Sequence, residues 1–229
     1  MSDQSDQAPA AAPYAPQPGV GVSLSVGVFG FSVLILGLAQ ARIFTPAAVG
    51  IFTPVAMGLG AFGLLFGGYF ELRANNVFAG TFSFLYAGFL LATGLILRSF
   101  SPGIVAAAGA GGFGDAFGAW LLLWCVFTAG LTLAAYHINM PAFLAFALLA
   151  VAYALLGFAN IDGGAGSFPT FLQKAGGWVL IADGLCAWYL SWGLAVNSVI
   201  GDKIPLYPYP YSAASAQESP ADVTPLPAA

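Results

Sequence analysis

Residues 67–98 read GGYFELRANNVFAGTFSFLYAGFLLATGLILR. Glu71, Arg73 and Arg98 are the only charges, and residues 77–97 carry none. A helix needs about 20 mostly apolar residues to cross the hydrocarbon core of a bilayer. Residues 77–97 have that length and character, so they read as a transmembrane helix. The polar stretch from Glu71 to Asn76 reads as its link to an earlier helix.

The same reading extends in both directions. Only 6% of the 229 residues are charged and 59% are hydrophobic, with a mean hydropathy of +0.88. Soluble domains carry roughly a quarter charged residues, so the bilayer is the solvent for most of this chain. Six spans are predicted: 22–41, 54–72, 77–97, 116–136, 141–160 and 175–197. The fold class is therefore all-α and integral to the membrane, a six-helix bundle over 22–200. It is flanked by disordered tails, Ala/Pro/Gln-rich at 1–21 and Pro-rich at 201–229. The first span has no basic residue before it and reads as a retained anchor, not a cleaved signal.

Local signals set the span boundaries. Thr45-Pro46, Thr53-Pro54 and Asn139…Pro141 each place a capping side chain before a proline suited to a first helical turn. The stretch SPGIVAAAGAGGFG at 101–114 is predicted as a loop, with Asp115 capping the fourth span. A Gly-rich loop holding Asp162 and Phe168-Pro169 precedes the sixth. Gly63 and Gly67 form a GxxxG pair, a pattern that lets helices approach closely. Arg42, Arg73, Arg98, His137, Lys174 and Lys203 divide evenly between the two sides, so charge does not orient the chain.

Composition excludes several functions. The net charge is -4 with no basic patch, so nucleic acid has no electrostatic footprint here. The single histidine and the two cysteines, Cys125 and Cys186 inside apolar runs, offer no metal cluster. No phosphate-binding loop and no Ser-His-Asp set can be assembled. The reading is of a protein without cofactor or metal that is not an enzyme.

Three polar features remain. Asp183 lies within the sixth span, where an ionisable residue marks a functional hypothesis; it relays protons or binds a cation, or else it lies near the interface or is a hydrogen-bonded neutral acid. Glu71, with Arg73, is expected at a solvated helix end, with a gating or proton-linked role as the functional alternative. Gly112-Phe113-Gly114-Asp115 matches the GxGD string of intramembrane aspartyl proteases, which need two aspartates sharing a proton. Asp183 is the one partner on offer. Those proteases place GxGD second, however, and here it comes first, in a Gly/Ala stretch. The string therefore reads as coincidence, with the protease as a minor alternative.

The run 67–89 resembles the second and third spans of the acetate uptake transporter, or succinate–acetate permease, family. Glu71, Arg73, Asn76, Phe78, Tyr86 and Phe89 match its pattern. Leu123-Trp124-Cys125-Val126-Phe127-Thr128 is similar to its Leu-Trp-x-x-Phe-Thr. Asn160-Ile161, Gly177-Trp178, Gly184, Ala187 and Tyr189-Leu190 follow in order. The resemblance implies a six-helix protomer that assembles as a hexamer in the plasma (inner) membrane. It implies a small carboxylate as substrate (acetate, with propionate or succinate as further substrates). It implies a constriction at Phe29, Tyr86 and Leu149, with Ala187 tuning substrate size. The family's Asn-Pro-Ala-Pro-Leu-Gly opening is replaced here by Val20-Gly21-Val22-Ser23-Leu24-Ser25, which motivates the alternative of a transport-inactive sensor or assembly subunit.

Two routes through an apolar constriction are comparable in energy. Desolvating a bare carboxylate costs several kcal/mol. An acid of pKa ~4.3 is neutral at pH 7 only at a cost of about 3.7 kcal/mol. Anion channel and proton-coupled permease both remain, with the Tyr86 hydroxyl as a donor to the passing carboxylate.

Overall fold

The computed structural model describes residues 20–207, the side chains of 46–48 excepted. Residues 1–19 and 208–229, most of the two expected tails, lie outside the described residues. Helix α1 is Val20–Gln40. A 3-10 turn, Pro46–Ile51, leads into α2, residues 52–73, whose middle segment Val55–Ala61 is π-helical. Then come α3 (Val77–Leu95), α4 (Ser101–Ala135), α5 (Met140–Asn160) and α6 (Ser167–Ile200). The chain is a multi-pass membrane protein. Five stretches are long and apolar enough to cross a bilayer, one of them the 59-residue run 77–135.

Several boundaries differ from the sequence expectation. Residues 101–114 are helical, not a loop, apart from Gly109 at φ 74°, ψ 171°. The segment is mostly alanine and glycine, with few side chains able to compete for backbone hydrogen bonds, and alanine is the best helix former. Gly109 alone takes the left-handed geometry that breaks the helix. Asp115 is therefore inside α4 and caps nothing; its Oδ1 accepts from the Asp162 amide at 2.9 Å. Thr53 does not start a helix either. The 3-10 turn before it already carries the helical path, and Pro54 falls in the first α turn, where its missing N–H is harmless. Helix α6 starts at Ser167, so Phe168 and Pro169 belong to its first turn.

Asparagines cap as their chemistry dictates. Asn139 Oδ1 accepts from the Ala142 amide at 2.9 Å, and Asn76 Oδ1 accepts from Ala79 at 3.2 Å. After α6, Asn197 holds the Ile204 backbone from both sides and Tyr189 donates to the Pro205 carbonyl at 2.6 Å. The first residues of the Pro-rich tail are thus fastened along α6.

The helices close into a ring. α1 packs on α2 and α6, α2 on α3, and α5 on α4 and α6. Small residues make the α1–α2 seam tight: a Cβ on Gly63 would lie 2.7 Å from Val28, and one on Gly67 would lie 2.6 Å from the Gly21 carbonyl oxygen. The GxxxG pair therefore seats α2 on α1. Large side chains close the last seam, between α3 and α4. Trp120 donates to Thr93 at 3.1 Å, while Trp124 lies against Tyr86 and Phe89. Later α4 residues thus meet earlier α3 residues, so the 59-residue run folds back on itself.

Candidate functional site

A line of cavities runs through the middle of this ring, parallel to α1. A cavity of ≈ 250 Å³ opens near the start of α1, lined by Val22, Val26, Asn76, Phe78, Asn139 and Phe146 among others. A cavity of ≈ 350 Å³ lies toward its end, with Val33, Leu36, Gln40, Arg98, Tyr153 and Asn160 in its wall. Between them is a space of only ≈ 30 Å³, lined by Val26, Phe29, Leu64, Phe82, Tyr86, Ala145, Phe146, Leu149 and Ala187. Val26, Phe82 and Phe146 also line the first cavity, and Leu149 also lines the last. From Val22 to Gln40 the helix rises about 27 Å, close to the ~30 Å of a hydrocarbon core.

The structure brings Phe29, Tyr86, Leu149 and Ala187 to this one narrow space. They come from α1, α3, α5 and α6, and all are buried. The ring edge of Phe29 meets Tyr86 with centroids 5.6 Å apart. Tyr86 is also packed by Trp124 at 5.3 Å and Phe146 at 6.2 Å. Its hydroxyl is engaged: Tyr86 Oη and Thr128 Oγ1 lie 2.6 Å apart, with either as donor. If Tyr86 donates, its proton is spent on Thr128. If Thr128 donates, the Tyr86 proton is left for another acceptor.

Glu71 does not sit at a solvated helix end. Its side chain is 0% exposed. Oε1 accepts from the Gly21 and Val22 amides at 2.7 and 3.1 Å, and Oε2 accepts from Asn76 Nδ2 at 2.6 Å. These are first-turn amides of α1, which lack intrahelical acceptors, and a carboxylate at a helix N-terminus is favoured by the macrodipole. Glu71 caps a helix 50 residues earlier in the chain, and its partners Val22 and Asn76 line the first cavity.

Asp183 is not at an exposed helix end. It lies 16 residues into α6, about 24 Å along the helix, is 0% exposed, and neither carboxylate oxygen has a hydrogen-bond partner among the described residues. The expected reading as a hydrogen-bonded acid fails on that observation. The protease reading fails as well. Asp115 is held against Asp162, before α6 begins, while Asp183 is deep in the bundle, so the two share no proton.

The other predicted residues divide. Asn76 and Phe78 line the first cavity and Asn160 the last; Trp124 packs Tyr86. Gly177 is where α6 meets the end of α1, since a Cβ there would collide with the Ala41 amide nitrogen. Trp178 faces outward at 58% exposure, and Tyr189 lies on an outer groove, so neither joins the cavities. Sequence reasoning missed Phe82, Phe146, Ala145 and Thr128. Helical spacing carries a signal for two of them, because Ala145 and Phe146 lie four and three residues before Leu149. Thr128 ended a motif already quoted. Among the described residues no group of three or more His, Cys, Asp or Glu side chains gathers to hold a metal.

Comparisons with known proteins bear on the family and the fold. The GPR1/FUN34/yaaH family matches residues 5–201. The chain is 32% identical over 177 residues to Ammonia transport outward protein 2 of Saccharomyces cerevisiae, covering 76% of this chain and 61% of that one. It is 27% identical over 198 residues to Acetate permease A of Emericella nidulans, covering 82% and 66%. The chain thus spans less than two thirds of the length of these curated relatives. Among solved structures, the bacterial acetate channel SatP superposes with a TM-score of 0.71 at 26% identity, covering 81% of this chain and 97% of that chain.

Proposed function

We propose, from the premise that this chain belongs to the GPR1/FUN34/yaaH family, that it carries small monocarboxylates, acetate first, across the membrane. The observation that supports this most directly is the row of three cavities whose narrowest point is lined by Phe29, Tyr86, Leu149 and Ala187. The likeness to an acetate channel and an acetate permease supplies the substrate class. On this reading the chain is a transporter and not an enzyme. Phe29, Tyr86 and Leu149 form the constriction, and Ala187 sets the room beside it.

The finer architecture follows the same reading. The 59-residue run folds back between α3 and α4, so the five apolar stretches make six crossings. The wide apolar outer surface, with Phe62, Phe66, Val126 and Trp192 exposed, suits lipid and neighbouring protomers. We assign the assembly as a hexamer in the plasma membrane, each protomer holding its own pathway.

Uptake of labelled acetate, propionate and succinate into liposomes carrying the purified protein tests the reading. Flux above that of empty liposomes is expected for acetate. Equal flux for all three solutes with and without protein would remove transport and leave a sensor or assembly role.

A further inference from the structure

Two polar side chains near the constriction have no hydrogen-bond partner among the described residues. They are Asp183, at both carboxylate oxygens, and Tyr153, at its hydroxyl. Their exposures are 0% and 4%, so water outside the bundle does not serve them. Buried polar groups are nearly always bonded, and an orphan calls for an explanation.

The helix register places Tyr153 in the wall of the larger cavity and Asp183 beside the narrow space. Gly176 of α6 faces Leu156 of α5, and farther along Ala187 shares the narrow space with Ala145. Counting between these two antiparallel matches sets Asp183 level with Leu149. Tyr153 lies one turn along α5 and lines the larger cavity together with Leu149 and Leu180. On α6, Asp183 is three residues after Leu180 and four before Ala187, so the three share one face. Asp183 is near enough to act electrostatically on both Tyr153 and Tyr86.

We propose that Asp183 and Tyr153 together form a binding site for the neutral carboxyl group of a small monocarboxylic acid at the constriction. A carboxylic acid presents one O–H donor and one carbonyl acceptor. The Asp183 oxygens accept the first, and the Tyr153 hydroxyl donates to the second. The assignment rests on the carboxylate-transport reading and adds a selectivity rule to it. A monocarboxylate needs one proton to fit. A dicarboxylate such as succinate needs two, or else it brings a second negative charge beside Asp183, and like charges repel. The other titratable groups around Asp183 are Tyr86 on α3, Tyr153 on α5 and Cys186 on its own helix, with Cys125 on α4 packed against the core. Helix α1 carries no titratable side chain, and on α2 Glu71 is bonded to the start of α1.

The test compares the native protein with Asp183→Asn and Tyr153→Phe, each checked for a folded, monodisperse state. In liposomes, the native protein is expected to prefer acetate over succinate, and Asp183→Asn to narrow that preference severalfold. In detergent, propionate binding is followed by tryptophan fluorescence, with Trp124 beside Tyr86 as reporter. The native protein is expected to bind more tightly at acidic than at alkaline pH, and both substitutions to lose most of that difference. Propionate binding that depends on Asp183 in a protein that moves no carboxylate would uphold this site and overturn the transport reading. Normal transport and binding with an unchanged selectivity and pH response in both variants would overturn this site and leave transport standing. A native protein that binds no propionate at any pH would overturn it too.

Discussion

The hydroxyls of Tyr86 and Thr128 meet at 2.6 Å in the sealed middle of the bundle. Tyr86 is 2% exposed and Thr128 0%. Elsewhere in the ring neighbouring helices run close together, but α3 and α4 meet through side chains. This bond spans that wider seam and fixes how the Tyr86 ring presents itself to Phe29.

Thr128→Val keeps the side-chain volume and removes the partner. The Tyr86 hydroxyl is then left buried and unsatisfied, at a cost of about 1–3 kcal/mol. The expected outcome is a lower unfolding temperature in detergent and a changed ratio of acetate to propionate flux. Thr128→Ser restores both. A Val variant with native stability and native selectivity would show that the bond neither holds nor orients Tyr86.

Glu71 gives a second prediction, on the structural side. Its carboxylate satisfies two α1 amides and Asn76 at once. Glu71→Ala leaves those donors without it, and each buried group left unsatisfied costs about 1–3 kcal/mol. Thermal unfolding should fall markedly, and amide exchange at Gly21 and Val22 should speed up. Glu71→Gln keeps an acceptor for the α1 amides, so its loss should be smaller. Equal stability of the Ala variant and the native protein would remove the capping role.

These cases show which parts of the molecule were legible in the sequence. Asn139 and Pro141 announce α5 because a cap and its proline act within one turn. That Tyr86 lines the narrow space was legible through motif order, since it lies in the run 67–89 that resembles the family pattern, whereas Leu149 came only from what the resemblance implies. Glu71 was misread because its partners are backbone amides 50 residues away, and no local pattern encodes them. The depth of Asp183 stayed open because it depends on where α6 begins, and Phe168-Pro169 reads as loop although the helix starts at Ser167. The segment 101–114 was missed because glycine and alanine are ambiguous between loop and helix when only residue 109 breaks the path.

Gly177 tests the packing of α6 on α1. A Cβ at this position would overlap the backbone where α1 ends, at Gln40 and Ala41. Backbone cannot swing aside as a side chain can, so the two helices must part. Gly177→Val should lower the yield of folded protein and its unfolding temperature, an overpacking effect of about 1–3 kcal/mol or more. Gly58 is the control, because a Cβ there meets nothing within 4 Å. Similar stability of Gly177→Val and Gly58→Ala would contradict the close approach.

The narrowest space tests the pathway itself. It holds ≈ 30 Å³ between cavities of ≈ 250 and ≈ 350 Å³. Leu149 borders both the narrow space and the larger cavity, so Leu149→Ala should join them and raise butyrate flux relative to acetate. The same change should destabilise the protein by about 2–5 kcal/mol, the usual range for a buried leucine cut to alanine. Ala187→Phe acts in the opposite sense: it places a ring where only a methyl fits and should abolish flux of every carboxylate. Paired with size-exclusion profiles that show intact protein, the two variants widen and fill the same narrow space. Flux through Ala187→Phe at the native rate would place the route outside this line of cavities.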